Sequence, residues 1–262
     1  MTSAQSTAVR RENELSEAFM DSENDTIQLL VPIYNEGENV RVLYSSLIAE
    51  GVPFDVLTFV YDFDEDITLP IIEELQVLDG RVRADKNLYG KGVINALRWG
   101  FAHAARGPVI VIMGDNSDKL SIVPEMLEMW RNGSTIVSPS RYMRGGKQFG
   151  GGVIKSLLSR CAGVSLKLLG FPTADATNNF KLYDGSWLRQ QTIESDGGFE
   201  VAIELCCKAY RTGKKITELP TEWRDRTLGE SRFKLMKWLP RYLRWYFAIL
   251  RDLLPFSAAR RK

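Results

Sequence analysis

Three acidic clusters punctuate the first half of the chain, each directly behind a short apolar run. Val31-Pro-Ile-Tyr-Asn-Glu36 ends the first run, Tyr61-Asp62-Phe63-Asp64-Glu65-Asp66 the second and Met113-Gly-Asp115-Asn-Ser117-Asp118 the third. Carboxylates gathered in one place repel unless they bind a cation or accept from hydroxyls and base edges. A divalent ion held together with a nucleoside diphosphate meets that need, with oxygen ligands from Asp115 and from the phosphates. A single acidic loop end can simply be solvated; three of them behind three buried runs argue for a site. The cysteines offer no competing chemistry. Cys161, Cys206 and Cys207 are odd in number and lack CxxC spacing, which suggests free thiols in a reducing compartment rather than a metal centre.

The runs that carry the clusters read as strands, at 27–32, 55–60 and 107–113, with a short one at 81–84 and another at 135–138. Helical spacing fills the gaps at 39–50, 67–78, 92–105 and 123–132. This alternation predicts an α/β fold with a mostly parallel sheet flanked by helices. In such sheets ligands lie at the carboxyl ends of the strands, where the clusters fall. Farther on, helices are expected at 154–169 and 199–211 and a strand at 216–223. Five glycines between 145 and 152 predict a loop that moves or is closely approached by a ligand.

The chain has 262 residues, with 34 Lys+Arg against 33 Asp+Glu. Such a balance argues against a nucleic-acid binder that works by bulk positive charge. No uncharged run approaches the 18 or so residues of a spanning helix, and the N-terminus lacks a secretory pattern, so a cytoplasmic protein is expected. The balance hides a split. Residues 1–25 hold two arginines against six carboxylates, and residues 232–262 hold nine cations against Asp252 alone. Three parts are therefore expected: a flexible acidic arm (1–25), an α/β domain (26–233) and a basic amphipathic helix with its tail (234–262). Pro240 is expected in the first turn of that helix and Pro255 beyond its end. Lys234, Lys237, Arg241, Arg244 and Arg251 fall on one side of it; Trp238, Tyr242, Trp245, Tyr246, Ile249, Leu250 and Leu253 fall on the other. That pattern suits an anionic membrane surface, or equally a helix packed on the domain.

The segments Val-Pro-Ile-Tyr-Asn-Glu-Gly-Glu-Asn from Val31, Asn87-Leu-Tyr-Gly-Lys-Gly92, Met-Gly-Asp-Asn-Ser-Asp from Met113 and Ser140-Arg-Tyr142 with Gly145-Gly146 resemble a family 2 glycosyltransferase of the GT-A fold. Asp175-Ala-Thr-Asn-Asn-Phe-Lys181, Gly198-Phe-Glu200 with Glu204, and Gly229-Glu-Ser-Arg232 resemble its dolichol-phosphate or polyprenyl-phosphate mannosyltransferase branch. The resemblance implies roles. Pro32, Tyr34 and Glu36 would contact the donor's base and ribose, Asp62 the base, and Lys91 and Gly114 would lie against the nucleotide. Asp115, with Ser117, would hold Mg²⁺ or Mn²⁺ on the diphosphate. Arg141, Lys155 and Arg160 would face phosphates, and Ser231 and Arg232 would close over them. Asp115, Arg141 and Arg232 would form the catalytic set.

A hydroxyl acceptor needs a carboxylate to remove its proton, whereas a lipid phosphate is already an anion and needs cations to bind and align it. Arg141, Lys155, Arg160, Lys181 and Arg232 supply cations, and no base motif follows the third strand. A polyprenyl phosphate acceptor at the cytoplasmic membrane face is thus expected. Peripheral membrane association follows, with room for a membrane-anchored partner. The sequence also departs from the family pattern. Tyr61 and Met113 stand where carboxylates are usual, Asp118 where His is frequent and Arg232 where Lys is usual. Two other readings stay open: a family 2 enzyme acting on a glycan or small hydroxyl acceptor, and a non-catalytic nucleotide-sugar-binding relative.

Overall fold

The computed structural model describes residues 25–225 and 235–254. The acidic arm through residue 24, the segment 226–234 with Ser231 and Arg232, and the tail beyond 254 lie outside the described residues. The expected alternation is realised as β1 (Gln28–Pro32), α1 (Asn39–Ala49), β2 (Val56–Tyr61), α2 (Leu69–Leu78), β3 (Val82–Lys86), α3 (Val93–Ala102), β4 (Pro108–Val111), α4 (Val123–Arg131) and β5 (Ile136–Ser140). β1 pairs in parallel with β2 and β4, and β2 with β3. Successive residues of β1 then face opposite sides. Leu30 packs with Leu97 and Phe101 of α3, while Leu29 and Val31 pack with α1, α2 and α4 through Leu43, Ile72 and Met126. Both faces are covered, which is why these strands read as unbroken apolar runs.

Two strands, β6 (Lys147–Phe149) and β7 (Lys181–Asp184), were not expected from sequence. β7 runs antiparallel between β4 and β5, and β8 (Ile216–Pro220) closes the edge parallel to β5, giving the order β3-β2-β1-β4-β7-β5-β8. β6 lies inside the glycine cluster and pairs with β9 (Glu222–Arg224) in a separate two-stranded sheet. The strand expected over 216–223 is thus split. At Thr221 the chain leaves the main sheet: the Thr221 N–H still donates to Ser140 (3.0 Å), but its carbonyl accepts from Lys147 (2.9 Å).

Two late helices border the strand ends. α5 (Val153–Leu168) approaches the segment before β7 at Gly163, where an added Cβ would lie 1.8 Å from the Ala174 carbonyl oxygen. Its outer side leaves Val153, Ile154 and Leu157 exposed. After the short α6 (Gly185–Leu188) and the largely buried α7 (Val201–Arg211) comes α8 (Leu235–Leu253), the basic aromatic helix. Pro240 lies inside it rather than in the first turn. Its aromatic side is taken by the domain. Trp245 and Ile249 are buried in the core beside α7, and Tyr242, Tyr246, Leu250 and Leu253 pack against them. The Trp245 indole N–H donates to Ser195 Oγ at 3.1 Å. On the basic side Arg241 meets Asp196 and Arg244 meets Glu194, each at 2.8 Å. Of the two roles the amphipathic pattern allowed, packing on the domain is the one realised along this face.

Trp245→Ala should therefore cost about 3–5 kcal/mol, the range for emptying a buried indole site. Urea denaturation followed by circular dichroism reads this as a lowered midpoint with little change in slope. A shift below 1 kcal/mol would mean the indole is not part of the core.

Candidate active site

Parallel register places the ends of β1, β2 and β4 along one line, with Pro32 opposite Val60 and Leu30 opposite Val111. The three acidic clusters begin there. They open into a cleft of about 1920 Å³, roughly twice the upper end of ordinary small-ligand sites. Pro32, Tyr34, Glu36, Asp62, Gly114, Asp115, Ser117, Arg141 and Lys155, all expected from sequence, line it. Lys91 and Arg160 are exposed but are not among its lining residues.

The Asp62 carboxylate accepts from Asn87 Nδ2 (2.8 Å) and from the Gly92 backbone N–H (2.7 Å), so it shapes the Gly90-Lys-Gly92 turn. Gly90 and Gly92 have φ of +97° and +117°, which side chains rarely adopt, so both positions require glycine. The turn sets the Lys91 ammonium over the Phe63 ring at 5.1 Å, and Phe63 meets Tyr34 edge-on at 5.2 Å. Tyr34 thus presents an aromatic ring to the cleft, with Phe63 and Lys91 behind it.

In the loop after β4, Asp115 Oδ1 accepts from Ser117 Oγ at 2.6 Å and from the Ser117 N–H at 3.2 Å. The Asp118 carboxyl is pushed up to about 7, first by its removal from water and then by the charge of Asp115. A cation would relieve that repulsion. The donor set is all oxygen, as Mg²⁺ and Mn²⁺ prefer, with substrate phosphates to complete it. The residues present therefore fit a divalent ion, with Asp118 taking up part of what Met113 cannot supply. Among the described residues no group of three or more His, Cys, Asp or Glu is gathered to hold a metal. β9 holds this loop: Arg224 N–H donates to the Ser117 carbonyl (3.1 Å), and Asp118 bridges Trp223. The same segment ties the glycine loop, where the Gly151 N–H donates to Asp225 Oδ2 at 3.0 Å.

Arg141 is gripped by Asp175, Nε to Oδ2 at 2.7 Å and Nη2 to Oδ1 at 2.8 Å. Burial opposes the Arg141 charge, but Asp175 outweighs it and raises the arginine pKa. Lys181 corrects an expectation. Grouped by sequence with the cations for an acceptor, it is fully buried and donates to Ser138 Oγ (2.8 Å) and the Asp175 carbonyl (2.9 Å). As the first residue of β7 its side chain points into the structure, and burial lowers its pKa.

Sequence reasoning missed the far half of the cleft. There α5 contributes Ile154, Leu158 and Ala162, and α8 contributes Leu239, Tyr242, Leu243 and Tyr246. Glu200 and Glu204, left without a role by sequence, shape the loop beneath. Glu200 accepts from the Gly197 and Gly198 N–H groups, and Glu204 from those of Glu194 and Ser195.

The model of the family "Glycosyl transferase family 2" matches residues 29–189, more than half of the chain. The chain belongs to that family. It is 25% identical over 237 residues to a dolichol-phosphate mannosyltransferase of Pyrococcus furiosus, covering 86% of this chain and 64% of that protein's length. It is 29% identical over 213 residues to an undecaprenyl-phosphate mannosyltransferase of Micrococcus luteus, covering 78% of this chain and 85% of that one. Both relatives fall in the branch the motifs resemble. In fold it is similar to glucosyl-3-phosphoglycerate synthase of Mycobacterium tuberculosis solved with Mn²⁺, UDP and its product, with a TM-score of 0.57 and 16% identity over 87% of this chain and 80% of that one. The GT-A fold expected from sequence is the one observed, and the protein is a glycosyltransferase.

Cys161 is exposed in the α5 wall of the cleft, whereas Cys206 and Cys207 are buried and their thiols are pushed up to about 11 by burial. A thiol held that high stays protonated and inert at pH 8. Titration with a chromogenic disulfide should count one fast thiol in the native protein and three after unfolding. More than one fast native thiol would contradict this burial.

Proposed function

We propose that this enzyme moves a hexose from a nucleoside-diphosphate sugar to a polyprenyl phosphate at the cytoplasmic face of a membrane. The observation that carries the proposal is the polarity of the cleft. It begins among the carboxylates of Asp62, Asp115 and Asp118, passes Arg141, and ends between the apolar walls of α5 and α8. A sugar acceptor has no use for such walls, whereas a lipid phosphate needs a cation for its head and hydrocarbon for its chain. The branch of the two relatives named above supports the same reading.

On this reading Pro32, Tyr34, Glu36, Asp62, Lys91 and Gly114 serve the nucleoside. Asp115 and Ser117, with Asp118 beside them, would hold Mg²⁺ or Mn²⁺, which supplies charge neutralisation on the departing diphosphate. Arg141 holds phosphate oxygens, and Lys155 at the start of α5 adds a second cation. Ser231 and Arg232, outside the described residues, are proposed to close over the diphosphate. The acceptor oxygen is anionic near neutral pH and can attack the sugar carbon without a base. The chain's work is then to align two anions and keep them apart from water.

No helix among the described residues is long and apolar enough to cross a membrane. The exposed Val153, Ile154 and Leu157 of α5, with Leu243 and Phe247 of α8, offer a surface that can rest on one. Peripheral contact is therefore proposed through both helices rather than through the basic tail alone. A membrane-anchored partner chain is compatible with this contact.

Transfer of labelled sugar from GDP- and UDP-hexoses to short and long polyprenyl phosphates tests the proposal. Label reaching only hydroxyl acceptors would overturn it. Asp115→Asn should lower metal-dependent kcat/KM about 100-fold or more, in line with the several kcal/mol a bound cation contributes. Ile154→Asp with Leu158→Asp should depress transfer to long-chain acceptors much more than to short ones. Equal losses on both would remove the groove from the argument.

A further inference from the structure

Asp175 and Lys181 are fully buried charged residues to which the chemistry above gives no task. Asp175 forms its ion pair with Arg141, at 2.7 Å; a pair so far out of water is a weak source of stability, so its retention asks for another reason. Arg141 offers one. A guanidinium has five N–H groups. Asp175 engages two of them side by side, and its Oδ2 also accepts the Arg141 backbone N–H at 3.0 Å. Both ends of the arginine are thus fixed to one carboxylate. Three N–H groups are left over from this grip, and Arg141 lines the cleft.

Asp175 in turn has no freedom to swing. Its N–H donates to Thr173 Oγ1 (3.0 Å), and its Oδ1 accepts from Thr177 Oγ1 (3.3 Å). Its carbonyl accepts from Lys181 Nζ, which also holds Ser138 Oγ on β5. Ser138 and Thr173 are themselves buried and bonded to each other at 3.0 Å. The chain of contacts runs from the neighbouring strands β5 and β7, through Lys181 and Asp175, to the arginine. A long side chain that would otherwise sample many rotamers is held in one.

We propose that Asp175, pinned by Lys181, is the positioning residue that aims Arg141 at a phosphate group in the cleft. This rests on the reading that Arg141 faces phosphates. The phosphate is either the donor's diphosphate or the acceptor's monophosphate. An arginine already ordered loses little entropy when its remaining N–H groups engage an anion, so affinity for the phosphate part of a ligand depends on the grip.

The test compares equilibrium binding of GDP and UDP, of guanosine and uridine, and of a short polyprenyl phosphate, to the full chain and its variants. Asp175→Asn should weaken binding of a phosphate ligand about tenfold or more, the worth of a charge-assisted hydrogen bond. Nucleoside affinity should stay within about twofold, because on the reading above the nucleoside is served by residues other than Arg141. Loss on GDP or UDP assigns the donor as the source, and loss on polyprenyl phosphate assigns the acceptor. Lys181→Met leaves the Asp175 carboxylate and its pairing with Arg141 in place and should give the same selective loss, smaller in size, even where Asp175→Asn fails to fold. Equal weakening of nucleosides and phosphates would make the pair merely structural and overturn the inference. So would unchanged phosphate binding in both variants. Arg141→Lys separates the two levels. If it loses phosphate selectivity while the Asp175 and Lys181 variants keep it, this inference alone fails. If it keeps selectivity itself, the reading of Arg141 fails and the inference falls with it.

Discussion

Everything in the cleft depends on parallel register. Hydrogen bonds between β1 and its neighbours fix Pro32 against Val60 and Leu30 against Val111, and the chain must leave each strand at the same edge. Asp62 follows β2 by one residue and Asp115 follows β4 by four. A slip of one residue in either pairing would turn apolar side chains out of their layers, so the register is protected by both cores. The acidic edge is thereby held against its own repulsion by apolar burial elsewhere, a balance that favours a site waiting for a cation.

Across the cleft the same logic runs in reverse. The second half of the chain adds β8 in parallel with β5, and beyond the sheet it supplies Arg141, the glycine loop, α5 and α8. β7 enters antiparallel, and that reversal brings Lys181 and the Asp175 segment behind Arg141. β9 then clamps the loop that carries Ser117 and Asp118 while its end holds Gly151. The loop after β4 and the glycine loop are thus joined by a strand of only three residues.

The first half of the fold was legible because each strand there is buried on both faces and each helix shows a spaced apolar stripe. Of the later strands only the one over 216–223 was, and it was read as one strand rather than as β8 and β9. β7 opens on a lysine, and nothing in Lys181-Leu-Tyr-Asp184 tells that its amine will face buried oxygens rather than water. β6 hides among glycines because its pairing is with β9, some 75 residues away along the chain. Acidic residues just past strands could be placed by rule, and most of them line the cleft. The apolar half of the cleft could not, since Ile154 and Leu158 look like ordinary core positions of an amphipathic helix until the structure leaves them exposed. Asp175 stood in a recognised motif, and only its contacts reveal that it serves Arg141.

The burial of Trp245 and Ile249 has a practical consequence for anyone cutting the gene. A fragment ending near residue 233 would look like a tidy catalytic unit with an accessory tail removed. It would in fact leave the indole and butyl sites beside α7 open to solvent and strip Asp196 and Glu194 of their arginine partners. Poor behaviour of such a fragment would report a missing wall of the protein, and would carry no information about lipid.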